Sequence, residues 1–164
     1  MHGVIVQVNT SPGGLPKSAV EEAFVGPLRL EGDAFAHPRI HGGPLQAVLV
    51  VSAEVVDELT AAGWPLFYGA LGENFTTRGL DRRRFRQGQQ YRVGDAVIEL
   101  TKPRGPCAAL NRYGAGIQDA IYDSTVKARD PRSPKWGMSG FYGRVIQPGT
   151  VRPGAPVVLL SELA

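Results

Sequence analysis

Gln90-Tyr91-Arg92-Val93-Gly94-Asp95-Ala96-Val97-Ile98-Glu99-Leu100-Thr101 reads as a β-hairpin, and that reading decides the fold. Gly94-Asp95 is a turn pair between two β-prone runs, and Ala96, Ile98 and Leu100 alternate toward one face. Upstream, Val4-Ile5-Val6-Gln7-Val8 is a second β-rich run, stopped by the turn formers of Asn9-Thr10-Ser11-Pro12-Gly13-Gly14. Ala47-Val48-Leu49-Val50-Val51 is continuously apolar, the mark of a buried central strand rather than an edge. Residues 19–25, 28–30, 141–146 and 157–160 add short strands, with turns at Pro148-Gly149 and Pro153-Gly154. Ser52 is placed to N-cap a helix whose Val55, Val56 and Leu59 form an apolar stripe, with Gly63 past its end. A second helix is expected over residues 117–128, and residues 64–77 read as a Gly-rich stretch. No repeat and no linker divides the chain, so 1–164 is expected to be a single domain. The fold class is α+β, mainly β: a closed β-barrel of short strands with one or two inserted helices.

Composition narrows the function classes. The 21 glycines and 13 prolines among 164 residues favour turns and short strands over long helices. A net charge of +3 permits an anionic ligand, but aromatic residues do not interleave with basic ones, so no nucleic-acid partner is expected. The run Arg82-Arg83-Arg84 with Arg86 reads as a solvated face with Phe85 as its buried member. No apolar run approaches the ~18 residues that span a bilayer, so no membrane partner is expected. The start, Met1-His2-Gly3-Val4, lacks the layout of an export signal, and with one cysteine the expected compartment is the cytoplasm.

That cysteine, Cys107, sits in Lys102-Pro103-Arg104-Gly105-Pro106-Cys107 and cannot pair within its own chain. Pro103 and Pro106 stiffen the loop, and Arg104 sets a permanent positive charge near the thiol. Such a thiol serves as a nucleophile, as a soft-metal ligand, or simply as a small buried hydrophobe. Three further polar segments carry glycines that let a ligand approach the backbone. In Ser11-Pro12-Gly13-Gly14-Leu15-Pro16-Lys17-Ser18, Lys17 and Ser18 offer charge and a donor, though the glycine spacing is not that of a Walker A loop. In His41-Gly42-Gly43 an imidazole lies beside two glycines; His37 and His41 without nearby carboxylates or thiols make weak metal ligands. In Gly72-Glu73-Asn74-Phe75-Thr76-Thr77, Asn74 offers donor and acceptor together. Taken alone, the first two segments read more readily as an ordinary hairpin turn and a surface-loop histidine, and Glu73 in the third as a turn cap.

Their order is more telling. Gly13-Gly14 with Pro16-Lys17-Ser18, then Gly32-Asp33, His41-Gly42-Gly43, Gly72-Glu73-Asn74, Gly94-Asp95, Pro103-Arg104 with Pro106-Cys107, and Gly140-Phe141-Tyr142 before Arg144-Val145 resembles the MOSC domain family, nearest to its small bacterial YiiM-like branch. The resemblance implies a β-barrel that holds a molybdenum–pyranopterin cofactor. By the same resemblance Cys107 would be the molybdenum ligand and a catalytic residue, and His41 would border the substrate side. Lys17, Ser18, Gly42, Gly43, Asn74, Thr76 and Arg104 would contact the cofactor. The implied activity is reduction of N-hydroxylated small molecules such as hydroxylamino-purines or amidoximes. The chain stops soon after its last expected strand, where larger members continue with a helical region, and it holds no cysteine set for an iron–sulfur cluster. Electrons are therefore expected from a separate electron-transfer protein, and a homodimer is compatible with the chain. The alternative reading is a sulfur-carrier or cofactor-handling protein with a Cys107 persulfide and no turnover; a plain binding module for a phosphorylated heterocycle is a third.

Overall fold

The computed structural model describes residues 1–34 and 42–161. Its strands are β1 (His2–Thr10), β2 (Ser18–Val20), β3 (Ala23–Val25), β4 (Val48–Ser52), β5 (Phe75–Arg78), β6 (Gln90–Val93), β7 (Ala96–Pro103), β8 (Phe141–Gln147), β9 (Gly149–Val151) and β10 (Pro156–Ser161). The helices are α1 (Ala53–Ala61), α2 (Ile117–Ile121) and α3 (Ser124–Lys127). Strands run β10-β6-β7-β8-β4-β5-β1, and β1 returns to β10, so seven of them close into a barrel. β4 and β5 pair in parallel while their neighbours pair antiparallel, which makes the barrel mixed. A parallel pair needs a crossover connection, and α1 with the segment that follows it supplies one. β2 extends the sheet beyond β1, and β3 with β9 forms a separate ribbon.

The hairpin that opened the reading is β6–β7, in register from Gln90↔Glu99 to Val93↔Ala96. Ala96, Ile98 and Leu100 are all buried in the barrel, together with Ile5, Val50, Phe75, Phe85 and Phe141. The apolar run of β4 is explained by two cores. Val48 and Val50 join the barrel interior, whereas Leu49 and Val51 join an outer layer with Val55, Val56 and Leu59 of α1, Leu110, Ile117 and Ile121. A strand buried on both faces has no reason to alternate.

Several local expectations are corrected, among them the short strand at 28–30, which is reduced to a bridge between Leu30 and Val25. The helix expected over 117–128 is broken: Tyr122 is extended, and Asp123 accepts from the Val126 amide at 2.8 Å to cap α3 afresh. Residues 75–77, read as part of a Gly-rich stretch, belong to the central strand β5, and Gly149 begins β9 rather than merely turning the chain. Ser52 stands at the N-cap of α1, yet its hydroxyl makes no capping bond. Among the described residues no helix is long and apolar enough to cross a membrane.

Candidate functional site

β7 ends at Pro103, and the chain then turns Arg104 inward. The Arg104 amide donates to Gly140 O at 2.8 Å, and its guanidinium donates to Leu71 O at 2.7 Å and Ser139 O at 3.3 Å. Only 4% exposed, it ties the approach to β5 and the approach to β8 onto the cysteine loop. Among the described residues no carboxylate comes within ion-pair distance of it, so its charge rests on carbonyl dipoles.

Cys107 follows as the residue heading a 3-10 turn, Ala108–Tyr113, where its carbonyl accepts from Leu110 N at 3.1 Å. Buried Leu110 anchors that turn, and the thiol-bearing residue stays half-buried rather than sealed in the core. Tyr142 of β8 faces both. Burial pushes its phenol above the ordinary range, the Arg104 guanidinium pulls it back, and a thiolate at Cys107 pushes it up again. Lys102 Nζ lies 5.7 Å from the Tyr142 ring centre, and Tyr122 borders Gly105 on the other flank.

A second polar cluster lies beneath the early loop. Lys17 is 7% exposed, with its ammonium 2.5 Å from Asp33 Oδ1. Asp33 also accepts from Ser11 N at 3.0 Å and from Asn74 Nδ2 at 2.9 Å. Asn74 in turn accepts from Leu49 N at 3.0 Å, which bolts β4 to this network. Thr76 accepts from Asn9 Nδ2 at 3.2 Å and donates to Glu73 Oε2 at 3.1 Å. Asn74 and Thr76 are thus buried and occupied by protein partners.

The two clusters adjoin. Arg112, in the turn headed by Cys107, donates to Leu15 O at 2.8 Å, two residues from Lys17, and Lys17 N donates to Gly69 O at 3.0 Å. Ser18 is exposed on β2. Gly42 and Gly43 lead into the 3-10 turn Pro44–Gln46, whereas His37 and His41 lie outside the described residues.

Motif reading gave no role to four residues of this region: Asp33, Glu73, Ser139 and Tyr142. Glu73 is fully buried beside Asn74, and its Oε1 has no hydrogen-bond partner among the described residues. Burial pushes its carboxyl well above the usual range, against the opposing pull of backbone amides, the Thr76 hydroxyl and the Arg104 charge. Ser139 Oγ, in the residue whose carbonyl Arg104 holds, is also buried and has no hydrogen-bond partner among the described residues. Such groups are uncommon in native interiors. The Gly-Glu-Asn and Gly-Phe-Tyr segments were the available signal for Glu73 and Tyr142; Ser139 carried none.

Comparison with known proteins fits this geometry. The family model described as MOSC domain matches residues 37–158, a span that includes Cys107 and Arg104 but not Lys17 or Ser18. An uncharacterized protein of Bacillus subtilis, YflK, is 36% identical over 135 residues, covering 80% of this chain and 56% of its own length. Protein YiiM of Escherichia coli is 31% identical over 164 residues, covering 93% of this chain and 66% of its own length. The chain therefore spans somewhat less than two thirds of these relatives. The crystal structure of YiiM from Escherichia coli superposes with a TM-score of 0.74 at 27% identity, covering all of this chain and 72% of that one. YiiM from Geobacillus stearothermophilus gives 0.71 at 27% identity, over 97% of this chain and 75% of that one. With the family match over most of its length and the barrel in common, the chain belongs to the MOSC domain family, whose members are associated with the molybdenum cofactor.

Proposed function

We propose that this chain binds the molybdenum cofactor and serves as the catalytic component of a reductase for N-hydroxylated small molecules. The observation that carries the reading is a partly exposed Cys107 that shares the neighbour Tyr142 with a buried guanidinium, which has no carboxylate within ion-pair distance among the described residues. Molybdenum favours soft sulfur donors, and a dithiolene cofactor brings negative charge; one thiolate and one unneutralised cation suit both. Among the described residues no three His, Cys, Asp or Glu side chains could cage a metal, so a metal held here takes most of its ligands from an organic carrier. Ser139, whose carbonyl Arg104 holds, adds a buried hydroxyl with no hydrogen-bond partner among the described residues.

When bound, the molybdenum centre supplies two-electron oxygen-atom transfer, so that a hydroxylamine nitrogen loses its oxygen as water with uptake of two electrons and two protons. The chain's own residues bind and orient. Cys107 is the thiolate ligand, and Arg104 offsets anionic charge. Because Asp33 already neutralises Lys17, the charge offered to an anionic cofactor tail falls chiefly to Arg104. Ser18, Gly42 and Gly43 would add neutral donors. The Tyr142 phenol, kept protonated by burial, holds a proton beside the thiol. His41 would border the substrate side, and electrons would come from a separate protein.

The test is expression in a host that makes the cofactor, followed by molybdenum analysis and fluorescence of the oxidised pterin. The wild-type chain should carry both and reduce a hydroxylamino-purine with dithionite as electron source. Cys107→Ala should lower molybdenum content by about tenfold or more and abolish reduction. Full activity in that variant would overturn the reading. Labile sulfur on Cys107 without molybdenum or pterin would favour the sulfur-carrier alternative.

A further inference from the structure

The run Arg82-Arg83-Arg84-Phe85-Arg86 has no part in the site described above, yet it packs directly on the segment that leads into it. Arg82, Arg83 and Arg84 form a 3-10 turn capped by Asp81, with buried Phe85 as its anchor. Arg82 donates to Pro134 O at 3.2 Å and to Trp136 O, which fastens the turn to residues 134–136. Arg86 lies 5.9 Å from the centre of the Trp136 ring. Trp136 meets Phe141 edge-on at 5.4 Å between ring centres, and Phe141 precedes Tyr142, which faces Arg104 and Cys107. Trp136 and Phe141 pack together on the barrel side of β8, and the next residue of that strand, Tyr142, lies on its other face toward the cysteine loop, so the surface and the loop share one strand.

The electrostatics are one-sided. Asp81 pairs with Arg83 at 2.9 Å, and the field of Glu58 reaches Arg82. Among the described residues no carboxylate lies within ion-pair distance of Arg82, Arg84 or Arg86. Glu54, Glu58 and Asp81 line the side of the turn that holds Arg82 and Arg83, so the positive face is carried by exposed Arg84 and Arg86 with exposed Arg83 beside them. Four adjacent like charges repel one another, and their cost is offset when an acidic surface meets them.

We propose that this arginine face is the docking surface for an acidic electron-carrier protein that passes single electrons toward the Cys107 site. The inference rests on the reductase reading and adds to it where the reductant binds. The balance is simple: two carrier molecules each lose one electron, the substrate N–O bond breaks, two protons are taken up, and water leaves. Docking through exposed charges gives a weak, fast, salt-sensitive contact, which suits a carrier that must leave after one electron.

The probe is an acidic plant-type two-iron ferredoxin, titrated as the oxidised protein against the cofactor-loaded chain by calorimetry at several salt concentrations. Affinity should fall steeply with salt, and Arg84→Glu should weaken it about tenfold, with Arg83→Glu and Arg84→Glu together weakening it further. Both variants should keep the wild-type melting temperature and dithionite-driven turnover, while ferredoxin-driven kcat/KM falls in step with affinity. Arg82 is left in place because it fastens residues 134–136. Absent or salt-independent binding, or binding unchanged in the variants, overturns the docking surface. So does equally tight, equally arginine-dependent binding of a duplex oligonucleotide, which would mark a general polyanion patch. Loss of dithionite-driven turnover in the wild-type chain would instead fail the reductase reading itself, and this inference with it.

Discussion

Asp33 accepts hydrogen bonds from the Ser11 amide, the Lys17 ammonium and the Asn74 side chain while only 4% exposed. Replacing it with Asn removes the negative charge 2.5 Å from a buried ammonium and keeps the shape. Breaking a buried pair on one side is costly, so Asp33→Asn should lose about 3 kcal/mol in urea unfolding. Adding Lys17→Met should recover much of that loss; a loss under about 1 kcal/mol would show that the pair is not a stabilising clasp. Glu73 behaves in the opposite sense. Burial raises its folded carboxyl above the ordinary value for a glutamate, so between the unfolded and folded values the native state holds the extra proton. Stability contributed by this group is then present in acid and lost as pH rises through that window. Glu73→Gln cannot titrate, so its stability relative to wild type should improve as pH rises above the ordinary carboxylate range. A difference that stays flat across the range would contradict a buried, charge-averse Glu73.

Elements differ in how openly the sequence announces them. β4 and the β6–β7 hairpin were legible because an apolar run and a Gly-Asp turn are local signals. β5 was hidden: Phe75-Thr76-Thr77-Arg78 holds one apolar residue, and its two threonines are buried only because β1 and β4 enclose it. The helix over 117–128 was half right, since its apolar spacing is real, but Asp123 competes by capping α3 with its own carboxylate. The candidate site divides likewise. Cys107, Pro106 and Arg104 lie in one short loop and could be read together. Lys17 with Asp33, and Arg104 with Leu71 O, join residues far apart in the chain, and no local spacing encodes such pairings. His41, prominent in the motif order, lies outside the described residues.

A closed barrel has no free edge, and here the closure joins the first strand to the last. His2, Gly3 and Val4 pair with Val158, Val157 and Pro156, while Ile5 N donates to Ala155 O at 2.9 Å and Leu159 N to Met1 O at 3.1 Å. Opening that seam would bare two strand edges and uncover Ile5 and Val157, both in the barrel core. A partial opening there would gain little chain entropy while losing core burial, so it should not be cheaper than unfolding the barrel as a whole. The amides of Ile5 and Leu159 should therefore exchange with solvent at the same free energy as those in the middle of β7 and β8. Gly3 offers a way to load the seam: a Cβ there would sit 2.6 Å from Arg78 O and 2.7 Å from Leu80 Cγ, so β1 must shift against β5. Gly3→Ala should cost about 2 kcal/mol, and the protection of seam and β7–β8 amides should drop by the same amount. Protection lost at the seam alone, with β7 and β8 unchanged, would mean that the barrel opens at its closure independently of the strands that carry Arg104 and Tyr142.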